Sequence, residues 1–198
     1  MFLRVCYLLI FTVTTTVPVQ AATSTIFGSS QNALACYQMA KRLSQTNQEL
    51  LTSTVECDLA LDELLGAKDR ASTLVNRGLI YARQERFELA LQDYEAAIAL
   101  SERIKPTAFI NIGNAHFLQR DFSTAQRFYS RALDLNVTQA HAATLNRGMA
   151  SEKLGHLEAA EADYLAALEL VPEWDSAQLR LDRVRNKLAA TPADGFTP

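Results

Sequence analysis

Residues 106–137 read PTAFINIGNAHFLQRDFSTAQRFYSRALDLNV, and the fold follows from this stretch. Two apolar-periodic halves flank a polar turn at Gln119-Arg120-Asp121. The second half sets Ala125, Tyr129 and Ala132 at relative positions 0, 4 and 7, which is one face of an α-helix. The first half carries Asn111-Ile112-Gly113 in the middle of its pattern. A shift of 35 residues in either direction finds the same residues again. Asn76, Asn111 and Asn146 are in register, as are Gly78, Gly113 and Gly148. So are Ala90, Ala125 and Ala160; Tyr94, Tyr129 and Tyr164; Ala97, Ala132 and Ala167; and Leu100, Leu135 and Leu170. Six positions held three times at this period mark a tandem helix-turn-helix repeat. A glycine inside a helix costs about 1 kcal/mol relative to alanine, so its recurrence needs a structural reason. Close approach of two helix backbones supplies one, with the tyrosine ring over the gap the glycine leaves.

The units, spanning about 71–102, 106–137 and 141–172, resemble tetratricopeptide repeats. The third meets that family's pattern with Gly148, Ala160, Tyr164, Ala167 and a closing Pro172. Departures are His116 and Ser151 where the first helix usually has an aromatic, Thr144 where it has a bulky residue, and no closing proline in the first two units. The period of 35 also adds one residue per link to the family's usual length. The resemblance implies an all-α, right-handed superhelical solenoid of hairpins. It also implies a concave face, built from the first helices, that holds a peptide or partner protein. Carried over position by position, the partner-binding residues are Asn76, Leu79, Ile110, Asn111, Asn114, Phe117, Asn146 and Met149. The asparagines are also residues the family commonly places there simply to solvate the surface. The family's clamp for carboxylate-ended chaperone tails needs lysines on this face, whereas Ser72, Val75, Thr107 and Ile110 occupy those places and argue against that function.

Solenoids need ends that do not expose a bare apolar face. After Pro172, residues 173–190 suit a cap helix, with Trp174, Ala177, Leu181, Val184 and Leu188 on one side. Residues 191–198 read as a disordered tail. Before the repeats, helices over 31–44 and 54–66 form a degenerate leading hairpin within 30–66. Ser53 with Glu56 resembles a capping box, and Gly66 is placed to stop the second helix. One cysteine falls in each helix, Cys36 and Cys57, which predicts a disulfide stapling the hairpin and worth about 3 kcal/mol in the chain-entropy view.

Arg4, the uncharged run 5–17 and the small-residue site Val19-Gln20-Ala21 follow the order of a secretory signal peptide over residues 1–21. The run is shorter than the roughly 20 apolar residues a membrane span takes. The expectation is therefore an exported, periplasmic chain without an integral membrane segment after signal removal. Residues 22–29 would form a flexible lead, and the formal charge would move from −3 to −4 on loss of Arg4. Such a charge argues against nucleic acid as a partner. No nucleophile–base pairing, phosphate loop or metal-ligand spacing is visible, and His116, His141 and His156 are scattered. No enzyme, cofactor or metal is expected. The functional expectation is a protein-binding adaptor. The alternative is a structural protein that self-associates through the apolar groove or cap helix.

Overall fold

The computed structural model describes residues 30–45 and 53–190. The expected signal peptide, lead and tail lie outside them. Among the described residues there is α1 (Gln31–Gln45), α2 (Val55–Asp62), α3 (Ala67–Arg83), α4 (Phe87–Leu100), α5 (Lys105–Leu118), α6 (Phe122–Asp134), α7 (Ala140–Lys153), α8 (Leu157–Leu170) and α9 (Asp175–Ala190), with no strand. The order is that of an α-helical solenoid. Each helix packs on the next, and the first helices of neighbouring hairpins also touch, α1 with α3, α3 with α5 and α5 with α7.

The glycine–tyrosine expectation is met in all three repeats. A Cβ added at Gly78 would lie 2.6 Å from the ring of Tyr94, at Gly113 2.6 Å from Tyr129, and at Gly148 2.8 Å from Tyr164. These three tyrosines are among the largest fully buried side chains. Burying such a ring gains about 2–3 kcal/mol, which exceeds the propensity cost of the glycine that admits it. The alanines of the second helices, Ala90, Ala97, Ala125, Ala132, Ala160 and Ala167, are all fully buried and allow the hairpins to stack closely.

The turn inside each repeat is more uniform than its sequence. Glu85, Arg120 and Gly155 adopt φ of 60°, 65° and 81° in the same register. Arg86, Asp121 and His156 each donate their N–H to a carbonyl five residues back, on Tyr81, His116 and Ser151, at 2.9 Å. Glu85, Arg120 and Gly155 donate to Ala82, Phe117 and Glu152. This pair of bonds is the Schellman motif, which satisfies orphan carbonyls at a helix end through a left-handed residue. Only the third repeat uses the residue best suited to it.

The leading hairpin departs from its sequence reading in three ways. The second helix ends at Asp62 rather than near 66, because Arg70 of α3 takes the carbonyls of Leu61 (2.9 Å) and Glu63 (3.1 Å) out of the helical ladder. Gly66 precedes α3 instead of stopping α2, and α3 begins one turn before the expected repeat start. The capping box is absent: Thr54 is the residue before α2, and its hydroxyl donates to Asp58 at 2.9 Å while the Ser53 hydroxyl accepts from the Val55 N–H. The disulfide forms between Cys36 and Cys57, fully buried, with Cα atoms 4.8 Å apart. At the other end α9 caps the solenoid. Ala177, Leu181 and Val184 pack with Leu145, Met149 and Tyr164, and Trp174 lies edge-on to His141. No described helix is long and apolar enough to cross a membrane.

Candidate functional site

The first helices α3, α5 and α7 carry every residue that the sequence singled out for partner binding, and the structure sets these helices side by side. It does not leave them open. Asn76, Asn111, Asn114 and Asn146 are 0%, 2%, 6% and 1% exposed, and Leu79, Ile110 and Met149 are buried as well. Phe117 alone is half-buried, edge-on to Phe122 with ring centroids 5.1 Å apart. Apart from Phe117, these side chains are enclosed rather than open to solvent. Ile110 belongs to the core shared with Val75 and Ala143. Leu79 packs with the disulfide cluster of Cys36, Leu43 and Cys57, and Met149 with the α9 cap.

Asn76, Asn111 and Asn146 share one register, Asn114 stands in that of Leu79 and Met149, and the four differ in bonding. Asn114 Oδ1 accepts from the Tyr129 hydroxyl at 2.9 Å and from Asn146 Nδ2 at 3.1 Å, so it ties the second repeat to the third. Asn76 is fully buried, yet neither Nδ2 nor Oδ1 meets a hydrogen-bond partner. A buried polar group left unpaired costs about 1–3 kcal/mol, so this amide calls for an explanation.

One repeat further, the position of Ala82 and Phe117 is taken by Glu152. Burial opposes its ionisation, but hydrogen bonds from Arg183, Lys187 and Tyr164 outweigh that and hold the carboxyl at about 2. The Arg183 and Lys187 contacts, at 2.6 and 2.7 Å, fasten α9 to α7. Sequence reasoning missed this network, since its members lie up to 35 residues apart and share no motif.

It also missed an alternation on the outer flank. Arg77 forks onto Asp93 at 2.7–2.8 Å and reaches Asp58 at 2.7 Å, joining α3 to both α4 and α2. Arg147 forks onto Asp163 in the third repeat. In the middle repeat the same register holds Ile112 and Phe128, with Phe128 against Phe109, His116 and Arg131. A shallow depression of about 660 Å³ opens between α6 and α8, lined by Arg127, Arg131, Arg147 and Asp163 among others. None of the expected partner-binding residues lines it. Among the described residues no group of three or more His, Cys, Asp or Glu side chains is placed to hold a metal.

The sequence profile of the tetratricopeptide repeat family matches residues 69–136, and a second profile of the same description matches 110–173. Together they cover just over half of the chain. This chain belongs to the tetratricopeptide repeat family. Human tetratricopeptide repeat protein 6 is 38% identical over 63 residues, which are 32% of this chain and 12% of that protein. The STIP1 homolog of Dictyostelium discoideum is 33% identical over 84 residues, 42% of this chain and 15% of that protein. The matched segments thus span a small part of these relatives' length. Among solved structures, the tetratricopeptide domain of Arabidopsis OM64 superposes with a TM-score of 0.57 at 25% identity, covering 62% of this chain and 99% of that one. The first such domain of Spaghetti (RPAP3), bound to the HSP90 peptide SRMEEVD, gives 0.57 at 28% identity, with 62% and 95% covered. The repeats of this chain therefore have the same architecture as domains of which one is seen holding a peptide.

Proposed function

We propose that this tetratricopeptide protein is a non-catalytic adaptor that takes an extended segment of protein along the strip formed by α3, α5 and α7. The observation that carries this reading is the Asn76 amide, enclosed and without a partner, in register with Asn111 and Asn146. A side-chain amide offers one donor and one acceptor side, the complement of a peptide unit in an extended chain. Apolar side chains of the segment would pack beside Phe117. The peptide in the RPAP3 complex is rich in acids, and it is not the model for this strip. Ser72, Val75, Thr107 and Ile110 stand where a carboxylate clamp would need lysines. The chain is also proposed to act after export, in the periplasm or an equivalent oxidising compartment. A fully buried cystine suits such a compartment, and the sequence of residues 1–21 suits the route.

The test is a panel of nonapeptides presented to the full chain, each as a free acid and as a C-terminal amide. Binders should keep their affinity within about two-fold on amidation, since the main chain and not its end is read. A strict requirement for the free carboxylate would refute the reading.

A further inference from the structure

The two arginine forks on the outer flank, Arg77 and Arg147, stand in one register two repeats apart, and the second is incomplete. Arg77 gives Nε and Nη2 to Asp93, and its Nη1 donates at 2.7 Å to Asp58, a carboxylate reaching across from α2 in the preceding hairpin. Arg147 gives Nε and Nη2 to Asp163 in the same way. Its Nη1, however, meets the Ser130 hydroxyl at 3.4 Å, and no carboxylate of α6 completes the fork.

Helix α6 presents further arginines there instead, for Arg127 and Arg131 line the same depression. The repeat does not dictate them: the register of Arg127 holds Gln92 and Ala162, and that of Arg131 holds Ala96 and Ala166. Arg127 donates to the Thr124 hydroxyl at 3.0 Å. The Arg131 guanidinium stands 4.1 Å from the centroid of the Phe109 ring and 5.2 Å from that of Phe128. Two rings thus hold it in place without occupying its N–H donors. Asp134 adds a favourable charge for Arg147 from further off. Three guanidiniums against Asp134 and Asp163 leave the depression positive, in a chain whose formal charge is −3. Exposed Ala159 and Ala162 of α8 form the opposite wall. The volume of about 660 Å³ falls within the roughly 300–1,000 Å³ of clefts that take a ligand.

We propose that this depression docks an acidic, extended segment of a partner protein. One carboxylate of the segment takes on Arg147 Nη1 the place that Asp58 takes on Arg77, and acids beside it meet Arg127 and Arg131. Asp58 shows within the same molecule which group completes the fork. Arg127 and Arg131 lie one helical turn apart, with about 6 Å between Cβ atoms. Alternate residues of an extended chain are about 6.6 Å apart and share a face. Acids on that face therefore match α6, while small residues on the other face lie on Ala159 and Ala162. This surface is separate from the strip of α3, α5 and α7, and its occupant is read through side-chain charge rather than through the main chain.

The test titrates the isotope-labelled full chain with a C-terminally amidated AEAEAEAEA peptide and with its neutral counterpart AQAQAQAQA, following the arginine Nε–H signals by NMR. The Glu peptide should move the signals of Arg127, Arg131 and Arg147 saturably, and less tightly as salt is raised, while the Gln peptide leaves them in place. Arg127→Gln combined with Arg131→Gln should weaken this binding at least about five-fold. Ser130→Asp supplies Arg147 with the carboxylate that Arg77 already has, and should weaken it about ten-fold or more with helicity retained. An absence of saturable shifts up to roughly 5 mM peptide, an equal response to the Gln peptide, or undiminished binding in Ser130→Asp would overturn the proposal. Loss of the binding in Asn76→Ala would assign the peptide to the strip and overturn it as well. So would saturation by oligo-dT or by phosphatidylglycerol vesicles without binding of the peptide, which would make the arginines a site for phosphates.

Discussion

In the leading hairpin Cys57 stands three residues before Ala60, as Tyr94 stands three before Ala97 and Tyr164 three before Ala167. Cys57, Tyr94 and Tyr164 are each buried against the helix that precedes their own. The repeats join their two helices by a ring seated on a glycine. The leading hairpin, whose α2 has only 8 residues, joins its pair by a covalent bond. A short helix buries too little surface to order itself, and a cross-link removes entropy from the unfolded chain that packing would otherwise have to offset. The difference teaches that the register of a stacking contact can persist after the repeat sequence has degenerated, provided another bond replaces the ring.

Gly113→Leu is the strongest way to break the repeat side of this comparison. The added Cβ alone would sit 2.6 Å from the Tyr129 ring, with a branched side chain beyond it. Loss of the cooperative transition in thermal unfolding, or a loss of more than about 4 kcal/mol, is expected. The covalent side breaks with Cys36→Ser, for which a loss of about 2–4 kcal/mol is expected. Hydrogen exchange should then quicken in α1 and α2 and stay slow in α5–α8. A uniform change would mean that the hairpin is not a separate unit.

Smaller changes sharpen the contrast among the repeats themselves. Tyr129→Phe removes the hydroxyl that Asn114 accepts and should cost about 1 kcal/mol in urea unfolding, with the fold retained. Arg120→Gly should raise stability by about 0.5–1 kcal/mol, because φ of 65° strains a side chain that Gly155 avoids in the same register. Acid should act most strongly at the α7–α9 junction. The Glu152 carboxyl has a folded-state value of about 2, below its ordinary 4.5. Its contribution is therefore present above about 4.5 and lost as pH falls through about 2. Trp174, the single tryptophan, sits at the head of α9 and should report that loosening by fluorescence, while Glu152→Gln should abolish the acid step.

Much of the fold was legible because one backbone contact, glycine under tyrosine, imposes the same residues every 35 positions. The disulfide was legible for a similar reason: one cysteine falls in each of two helices. The turns were only partly so. A left-handed residue is required at each, yet Glu85 and Arg120 tolerate it, and composition alone points to Gly155. The boundary at Asp62 was not legible, because it is set by Arg70 from the next helix, a tertiary contact. For the candidate site, the sequence placed Asn76, Asn111 and Asn146 in one row. It could not tell that Asn114 is consumed by Tyr129 and Asn146 while Asn76 has no described partner, since those differences depend on which residue follows a turn later on each helix. Nor could it foresee that Ile110 is core.

The adaptor account turns on whether an extended segment is read by the strip or by the outer depression, and paired titrations decide between them. A peptide selected from the panel is titrated by fluorescence anisotropy into the full chain, into Asn76→Ala and into Arg131→Ala, each checked for unchanged helicity. The account predicts that Asn76→Ala weakens binding about five-fold or more, the loss of roughly 1 kcal/mol of hydrogen bonding, while Arg131→Ala leaves it unchanged. Undiminished binding to Asn76→Ala, with loss in Arg131→Ala, would contradict it and move the site to the groove between α6 and α8.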